Sequence, residues 1–552
     1  MSFNLFLKSK TIIDSHLSSQ DFLTLLLKNR SLSKDELSNF LQPPHPSKLS
    51  LTDFGLHQKD LNAAVQRIQQ AIKNKENILI YGDYDVDGLT ATAILWQTLY
   101  FLGAQVTPFV PDRQTDGYGI KAQSVFDFQK QKNLHFSLII TVDNGIVAHQ
   151  EVKKIIAQKI DIIITDHHLP LENLPSATYI LHSTKISGSA LSWLVARELN
   201  PNADLGMAAL GTVADCLPLL GINRSLVYHG LQSLRLHPSP GLKKLINLSG
   251  AKQDSLSTYD LGFILGPRLN AVGRLANPTD ALRLLCSQNS LQASKFTQSL
   301  NNYNHDRQIL QQKSLDLAEK QISPTPKNKL IFVADQSFHP GIIGLIAGRL
   351  TEKYYLPSIV ISQNGNLCKG SCRSIKELNI IDSLRELAHL LVDLGGHSVA
   401  AGFSLDVKNI PRFQKAITKI INKKLSDINL QPSLEVEAEM KLPAVNLKNI
   451  KLIEKLEPFG LGNPQPLFLF KNLKIISKRL LGTNQDHLKL KLDDPATTKI
   501  ENLTTDAIAF KKGELDSKFK TGDLINIVAH LDANTWNGTT TPQLIVKEIL
   551  QK

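Results

Sequence analysis

Cysteine, tryptophan and methionine are scarce: four, three and three in 552 residues, with aromatics at 6%. Four cysteines in so long a chain do not build a disulfide framework. Cys368 and Cys372 flank KGS, one residue wider than the CxxC of zinc sites, and no second pair lies near. Free thiols in a reducing cytoplasm are the simpler reading. Long apolar runs are missing too, the longest being well short of the ~18 residues of a membrane-spanning helix. The N-terminal MSFNLFLKSK carries lysines where an export signal needs its apolar core. These absences exclude a disulfide-stapled scaffold and argue against membrane association and export. No fixed-period repeat and no long low-complexity tract occurs.

What is present is an ordinary 42% hydrophobic content spread over a length that predicts roughly three or four domains. The net charge of +12 favours a polyanionic partner, with nucleic acid first. A generally basic proteome would give the same excess, so charge alone does not decide.

Organisation follows from periodicity. Residues 1–50 read as a lead of short helices ending in LQPPHPSKLS. LNAAVQRIQQAI places Leu61, Val65, Ile68 and Ile72 on one helical face. Three short apolar runs follow, NILIY, SLIITV and IDIIIT, separated by helical segments. Strand–helix alternation predicts a parallel sheet covered on both faces over 51–220. Residues 221–325 are mostly helical, with QILQQKSLDLAEKQI the clearest helix. PTPKNK (324–329) marks a boundary, and a second α/β unit is expected over 326–425. From 430 to 552, runs such as HLKLKL, DAIAF and LINIVAHL alternate with turn signals, which predicts a small β-barrel or sandwich.

The three apolar runs of the first unit end in chemistry. NILIY runs into GDYDVDG with Asp83, Asp85 and Asp87; SLIITV ends in Asp143; IDIIIT ends in Asp166, His167 and His168. In parallel sheets the ligand crevice lies off the carboxyl ends of the strands. A lone DxDxD is more often a surface turn, and a lone DHH is more often a hydrogen-bonded histidine pair. Three such endings on successive strands, with Asp215 in GTVADCLPL as a further member, read instead as a metal cluster. An oxygen-rich set with one or two imidazoles suits manganese or magnesium. More carboxylates than one ion needs predicts two, the arrangement that clamps both oxygens of a phosphoester displacement. Successive residues in extended chain point opposite ways, and Asp85 and Asp87 are expected to need a loop bend, which Gly88 permits, to face the same metals.

These motifs carry a resemblance. GDYDVDG, TVDNG, DHH and GTVADCLPL, in this order, resemble the four N-terminal motifs of the DHH phosphoesterase superfamily. LGPRLNAVGRL, SFHPGIIGLIAGRL, GSCRS, LGGHSVAAGF and LEPFGLGNPQPLF narrow the resemblance to its single-strand-specific exonucleases, from about residue 25 onward. It implies two α/β domains, DHH and DHH-associated, joined by a helical linker and followed by an OB-like barrel. It implies a 5′-to-3′ exonuclease that hydrolyses single-stranded DNA to 5′ mononucleotides in DNA repair and recombination.

By that resemblance Asp85, Asp87, Asp143, His167 and Asp215 are metal ligands, with Asp83 in or beside the shell. Asp143 would bridge two manganese or magnesium ions. His168 would bind metal or phosphate, and Asp166 would orient imidazole from behind. Arg113, Arg268, Ser371 and Arg373 would form a 5′-phosphate pocket, with Asn270 and Arg274 beside it. Gly395, Gly396 and His397 would meet the scissile phosphate, and a helix starting near Ser398 would add free amides; a tight turn with a solvent-facing histidine is the alternative. In the barrel, Lys489, Lys491, Phe510, Lys511, Lys512 and Trp536 are candidate strand contacts, although core packing is the expected place of Phe510. Single-strand binding protein and a helicase are implied partners of a monomer.

NRSL (29–32) and ILHSTK (180–185) depart from the family pattern and put local loop shape in doubt. No further domain is expected after the barrel, so contacts made there in longer relatives should be absent. A DHH phosphodiesterase for short oligonucleotides, or a non-catalytic strand-binding protein, are the rival readings.

Overall fold

The structure is a computed structural model that describes residues 3–113, 115–323, 326–495 and 504–550. Pro324 and Thr325 of the boundary segment PTPKNK, the first two and last two residues of the chain, and Gln114 of PDRQTDGYG lie outside the described residues. The chain forms two compact units, residues 50–215 with 230–430, and residues 1–49 with 216–229 and 431–552.

The first of these holds both α/β sheets. Strands β1 (Asn77–Tyr81), β2 (Gln105–Phe109), β3 (Leu138–Val142), β4 (Asp161–Asp166) and β5 (Tyr179–His182) form an all-parallel sheet in the order β2-β1-β3-β4-β5. The runs of Ile, Leu and Val in β1, β3 and β4 are buried on both faces, as parallel sheets require. The order reverses between β1 and β3, and that is where the carboxyl ends open a crevice.

Helix α1 (Val86–Phe101) starts inside the acidic motif. Its first ten residues are all buried, so it is a core helix with no solvent face at that end. It packs against α2 (Gly188–Leu199) and α3 (Leu205–Ala214), whose small residues Ser189, Ala190, Ser192, Ala208 and Ala209 permit close approach. Farther along come α4 (Gly266–Leu275), entered through a π-helical turn over Asp260–Leu265, and α5 (Ser290–Lys320), a 31-residue helix.

The second sheet has the order β9-β10-β8-β7-β6, from strands β6 (Ile331–Asp335), β7 (Ser358–Ser362), β8 (Leu367–Arg373), β9 (Asp393–His397) and β10 (Ala400–Asp406). Only β6 and β7 are parallel. Helix α6 (Ile343–Tyr354) covers one face. Cys368 and Cys372 are free thiols buried in the core around β8.

No helix begins near Ser398. Gly395, Gly396 and His397 lie in β9 and pair with Gly402, Ala401 and Ala400 of β10, so the segment is a tight hairpin. The run of small residues lets two strands pair closely and gives no apolar face for a helix to bury.

In the other unit, strands Phe468–Leu481, His487–Asp493, Thr504–Ala509, Thr539–Leu550 and Leu524–Trp536 pair in that order. The last pairs back with the first, which closes a five-stranded barrel. Two parallel strands extend it, Ala438–Met440 and then Ile12–Ile13. The N-terminal lead is therefore not only helices Ser19–Lys28 and Lys34–Leu41. Asn4–Leu7 also pairs in parallel with Ser433–Val436. In NRSL, Ser31 adopts a positive φ of 54°, a conformation glycine takes without strain. Among the described residues no helix is long and apolar enough to cross a membrane.

Candidate metal centre and its basic surround

Each acidic side chain is aimed by the element that carries it. Asp85 is the N-cap of α1, and its Oδ1 accepts the Gly88 amide at 3.0 Å. Asp87 lies in the first turn, where the helix dipole favours negative charge. Its Oδ2 accepts the Gly188 amide at 2.6 Å and its Oδ1 the Ser189 amide at 2.9 Å, both from the start of α2. The bend that turns Asp85 and Asp87 together is thus a helix start. Gly88 permits it for a steric reason, since a Cβ there would stand 2.6 Å from the Asp83 Cβ and 2.7 Å from its Cα. A Cβ on Gly188 would likewise meet the Asp143 Cβ at 2.6 Å.

Asp143 follows β3 with φ 63°, a strained value for a residue bearing a Cβ. Its amide donates to the Thr165 carbonyl at 2.9 Å, which fixes the turn. His167 Nε2 lies 3.0 Å from Asp143 Oδ1, 3.6 Å from Asp215 Oδ2 and 3.7 Å from Asp87 Oδ2. Yet among the described residues neither Asp143 Oδ1 nor Asp83 Oδ1 accepts a hydrogen bond, although both are shielded from solvent. Buried carboxylate oxygens without donors are costly. Grouped with other ligand-capable side chains, they fit divalent cations.

Ligand-capable atoms fall into three overlapping groups, Asp83–Asp85–Asp143, Asp87–His167–Asp215 and Asp143–His167–His168, each with its atoms within 4.8 Å of one another. Asp143 belongs to the first and the third, and His167 links the third to the second. All seven side chains predicted to surround metal are in one crevice.

The electrostatics agree. Burial, then repulsion from Asp87 and Asp85, pushes the Asp215 carboxyl up to about 8. Burial and neighbouring carboxylates also raise Asp83, Asp85 and Asp143. Burial lowers His167, leaving the neutral imidazole that a metal requires. Asp166 differs. Its Oδ1 accepts the His167 and His168 amides at 2.7 and 3.1 Å and faces His168 Nδ1 at 2.8 Å, while its Oδ2 accepts the Ile146 amide at 2.8 Å. Burial opposes its ionisation, but these donors outweigh it and hold its pKa low. The pairing overcomes burial at His168 as well and lifts that imidazole to about 9. His168 Nε2 lies 3.0 Å from the Tyr118 hydroxyl, a partner that was legible only as part of PDRQTDGYG.

Around this acidic centre stand arginines. Arg113 lies over the Tyr84 ring, 5.4 Å from its centroid. Arg268 Nη1 donates to the Ile264 carbonyl at 2.7 Å. Arg274 Nη1 donates to the Gly341 carbonyl at 3.2 Å, and burial pushes its pKa down to about 10, with Arg113, Arg307 and Arg373 adding repulsion. Ser371 and Arg373 sit on β8 against the start of α6, where a Cβ on Gly344 would be 3.1 Å from Ser371 Oγ and 3.4 Å from Arg373 Nη2. Asn270 is half-buried on α4. Gly395, Gly396 and His397 are exposed on β9, where they pair with β10 rather than with the carboxylates. Sequence reasoning missed Arg307, whose signal was a cation on the buried stripe of α5.

In the barrel, Lys489 is paired with Asp506 and Lys512 with Glu548. Phe510 is not in the core; it is 51% exposed, because the strand ends at Ala509, and it meets the His487 ring edge-on at 5.2 Å. Trp536 is 75% exposed at a hairpin end.

Family models match three stretches: the DHH family N-terminal domain over 77–218, the DHHA1 domain over 327–423 and the RecJ OB domain over 436–548. The single-stranded-DNA-specific exonuclease RecJ of Thermus thermophilus is 32% identical over 496 residues, covering 87% of this chain and 69% of that one. The chain belongs to the RecJ family. RecJ of Bacillus subtilis is 36% identical over 505 residues, and the match takes in 89% of this chain and 63% of that relative's length. The crystal structure of RecJ from Thermus thermophilus in complex with Mn2+ superimposes with a TM-score of 0.80 at 28% identity, covering 96% of this chain and 76% of that one. The same protein is known in complex with Mg2+, and this chain matches it with a TM-score of 0.73 at 27% identity.

Proposed function

We propose that this protein is a 5′-to-3′ exonuclease that hydrolyses single-stranded DNA to 5′ mononucleotides, acting in DNA repair and recombination with two manganese or magnesium ions. The observation that carries the reading is the convergence of Asp83, Asp85, Asp87, Asp143, His167 and Asp215, with two buried carboxylate oxygens lacking any donor. Asp143 would be shared between two cation sites, one completed by Asp83 and Asp85, the other by Asp87, His167 and Asp215. Bound there, two divalent cations would polarise the scissile phosphate and make hydroxide available near neutral pH.

The chain's own residues do the rest. Asp166 holds His168 as a cation, so that His168 can donate to a phosphate oxygen. The Gly188 and Ser189 amides hold the Asp87 carboxylate in place and aimed. Arg113, Arg268, Ser371 and Arg373, with Asn270 and Arg274 beside them, would receive the terminal 5′-phosphate and so set polarity. Gly395, Gly396 and His397, exposed on a hairpin, would reach the scissile phosphate only as the strand is bound. The barrel, with exposed Phe510 and Trp536 and basic residues between, would supply a stacking surface for single strands. Residues 51–220 would be the catalytic domain, 326–425 the substrate-binding domain and 430–552 the strand-binding domain, with 1–50 a lead and 221–325 the helical connection. We place the protein in the cytoplasm as a monomer, with single-strand binding protein and a helicase as partners.

Digestion of 5′-labelled and 3′-labelled single strands with Mn2+ or Mg2+ tests this. Release of labelled mononucleotide from the 5′ end first, blocked by chelator, is expected. Attack from the 3′ end, or full activity in the Asp143→Ala variant, would refute it.

A further inference from the structure

The buried face of α5 changes character part-way along. Ala293, Thr297 and Leu300 are small or apolar, then Asn304, Arg307, Gln311 and Ser314 follow at helical spacing before Ala318 returns to apolar. A cation on a buried stripe is costly unless it is paired.

Among the described residues Arg307 has no such pairing. Its Nη2 donates to Asn304 Oδ1 at 3.0 Å and its Nη1 to Gln311 Oε1 at 3.1 Å. Its Nε is shielded from solvent and donates to nothing. The charges that act on it are cations, Arg349 and Arg268, which add to burial in lowering its pKa. Two turns back, Asn301 accepts from Arg268 Nε at 3.3 Å, so one face of α5 holds two guanidiniums by neutral amides. Arg307 acts in turn on Arg274, together with Arg113 and Arg373. The hydrogen-bond acceptors of Arg268, Arg274, Arg307 and Arg373 are all neutral oxygens. A cluster of partly desolvated guanidiniums, scaffolded by amides and carbonyls in place of carboxylates, is chemically suited to an anion.

We propose that Arg307 is a specificity-determining contact for the terminal phosphomonoester at the 5′ end of a single strand. The inference rests on the reading of Arg113, Arg268, Ser371 and Arg373 as the 5′-phosphate pocket, and adds a member from a different element. A phosphomonoester carries about −1.5 to −2 charge near pH 7, more than the single charge of an internal diester. The extra guanidinium matches that extra charge, and its planar fork suits a tetrahedral oxyanion.

The test compares kcat/KM on two strands identical except for a 5′-phosphate or a 5′-hydroxyl. Loss of a charged hydrogen bond predicts that the preference of the wild-type enzyme for the phosphorylated strand falls on the order of 10- to 100-fold in Arg307→Gln. A merely structural arginine would lower both rates by one factor and leave the ratio unchanged, which would overturn the proposal. Arg307→Lys, which keeps the charge and loses the fork, covers the case in which Arg307→Gln does not fold; a ratio between those of wild type and Arg373→Gln is expected, and a wild-type ratio would overturn the idea. If wild type itself shows no preference, the pocket reading fails. If Arg373→Gln abolishes the preference and Arg307→Gln keeps it, the pocket stands and only the role of Arg307 falls.

Discussion

Stripping the divalent cation should make this protein less stable as pH rises from 6.5 to 8. Asp215, ordinarily near 3.8, is held at about 8 by burial and by Asp87 and Asp85. Between those values the folded chain keeps a proton that the unfolded chain has released, so stability falls with rising pH by about 1.4 kcal/mol per unit. Over this window the loss from Asp215 alone is about 2 kcal/mol. His168, raised to about 9, works in the same direction: its stabilisation is full below the unfolded value and fades as pH climbs through the folded one. Asp83, Asp85 and Asp143 are raised as well and act in the same sense. Below pH 6.5 the lowered pKa of His167 acts in the opposite sense, which is why the window starts there. The general charge balance also opposes the prediction, because a chain of net charge +12 repels itself less as pH rises. Thermal scans of chelated protein should therefore show a melting temperature lower by a few degrees at pH 8 than at 6.5. Mn2+ at a hundred times its dissociation constant should return about 2.7 kcal/mol. A chelated protein that melts higher at pH 8, with no response to Mn2+, would refute the electrostatic account of the centre.

Gly88→Ala should displace Asp83 and lower metal-dependent activity by roughly 100-fold, while circular dichroism still reports a folded chain. Asp166→Asn removes the anion that orients His168 and should cost about 10- to 100-fold in metal affinity or activity, read by Mn2+ titration calorimetry and by rate.

The fold was legible where burial is two-sided. NILIY, LIITV and DIIITD announce parallel strands because every residue must be apolar, and each ends where the chemistry begins. The acidic cluster followed from that shared end. What sequence could not show was how crowded carboxylates are tolerated. The amides holding Asp87 belong to Gly188 and Ser189, about 100 residues away, and no local pattern announces them. LGGHSVAAG misled for a physical reason: glycine and alanine fit a helix start and a close-packed hairpin alike, and only pairing with β10 decides. Phe510 misled because alternation tells which face a residue takes but not where the strand stops. Arg307 needed the packing partners of α5 before its cation stood out.

One consequence concerns the ribosome. Asn4–Leu7 pairs with Ser433–Val436, and Ile12–Ile13 with Ala438–Met440. The opening strands thus emerge about 430 residues before their partners. At about 5–20 residues per second they wait roughly 20 to 90 seconds for them. Over that interval residues 50–215 with 230–430 can fold, but the first strands offer bare hydrogen-bonding edges. A fragment covering 1–430 would keep those edges permanently, so aggregation is the hazard to expect of it, whereas a fragment starting at residue 50 would not carry them.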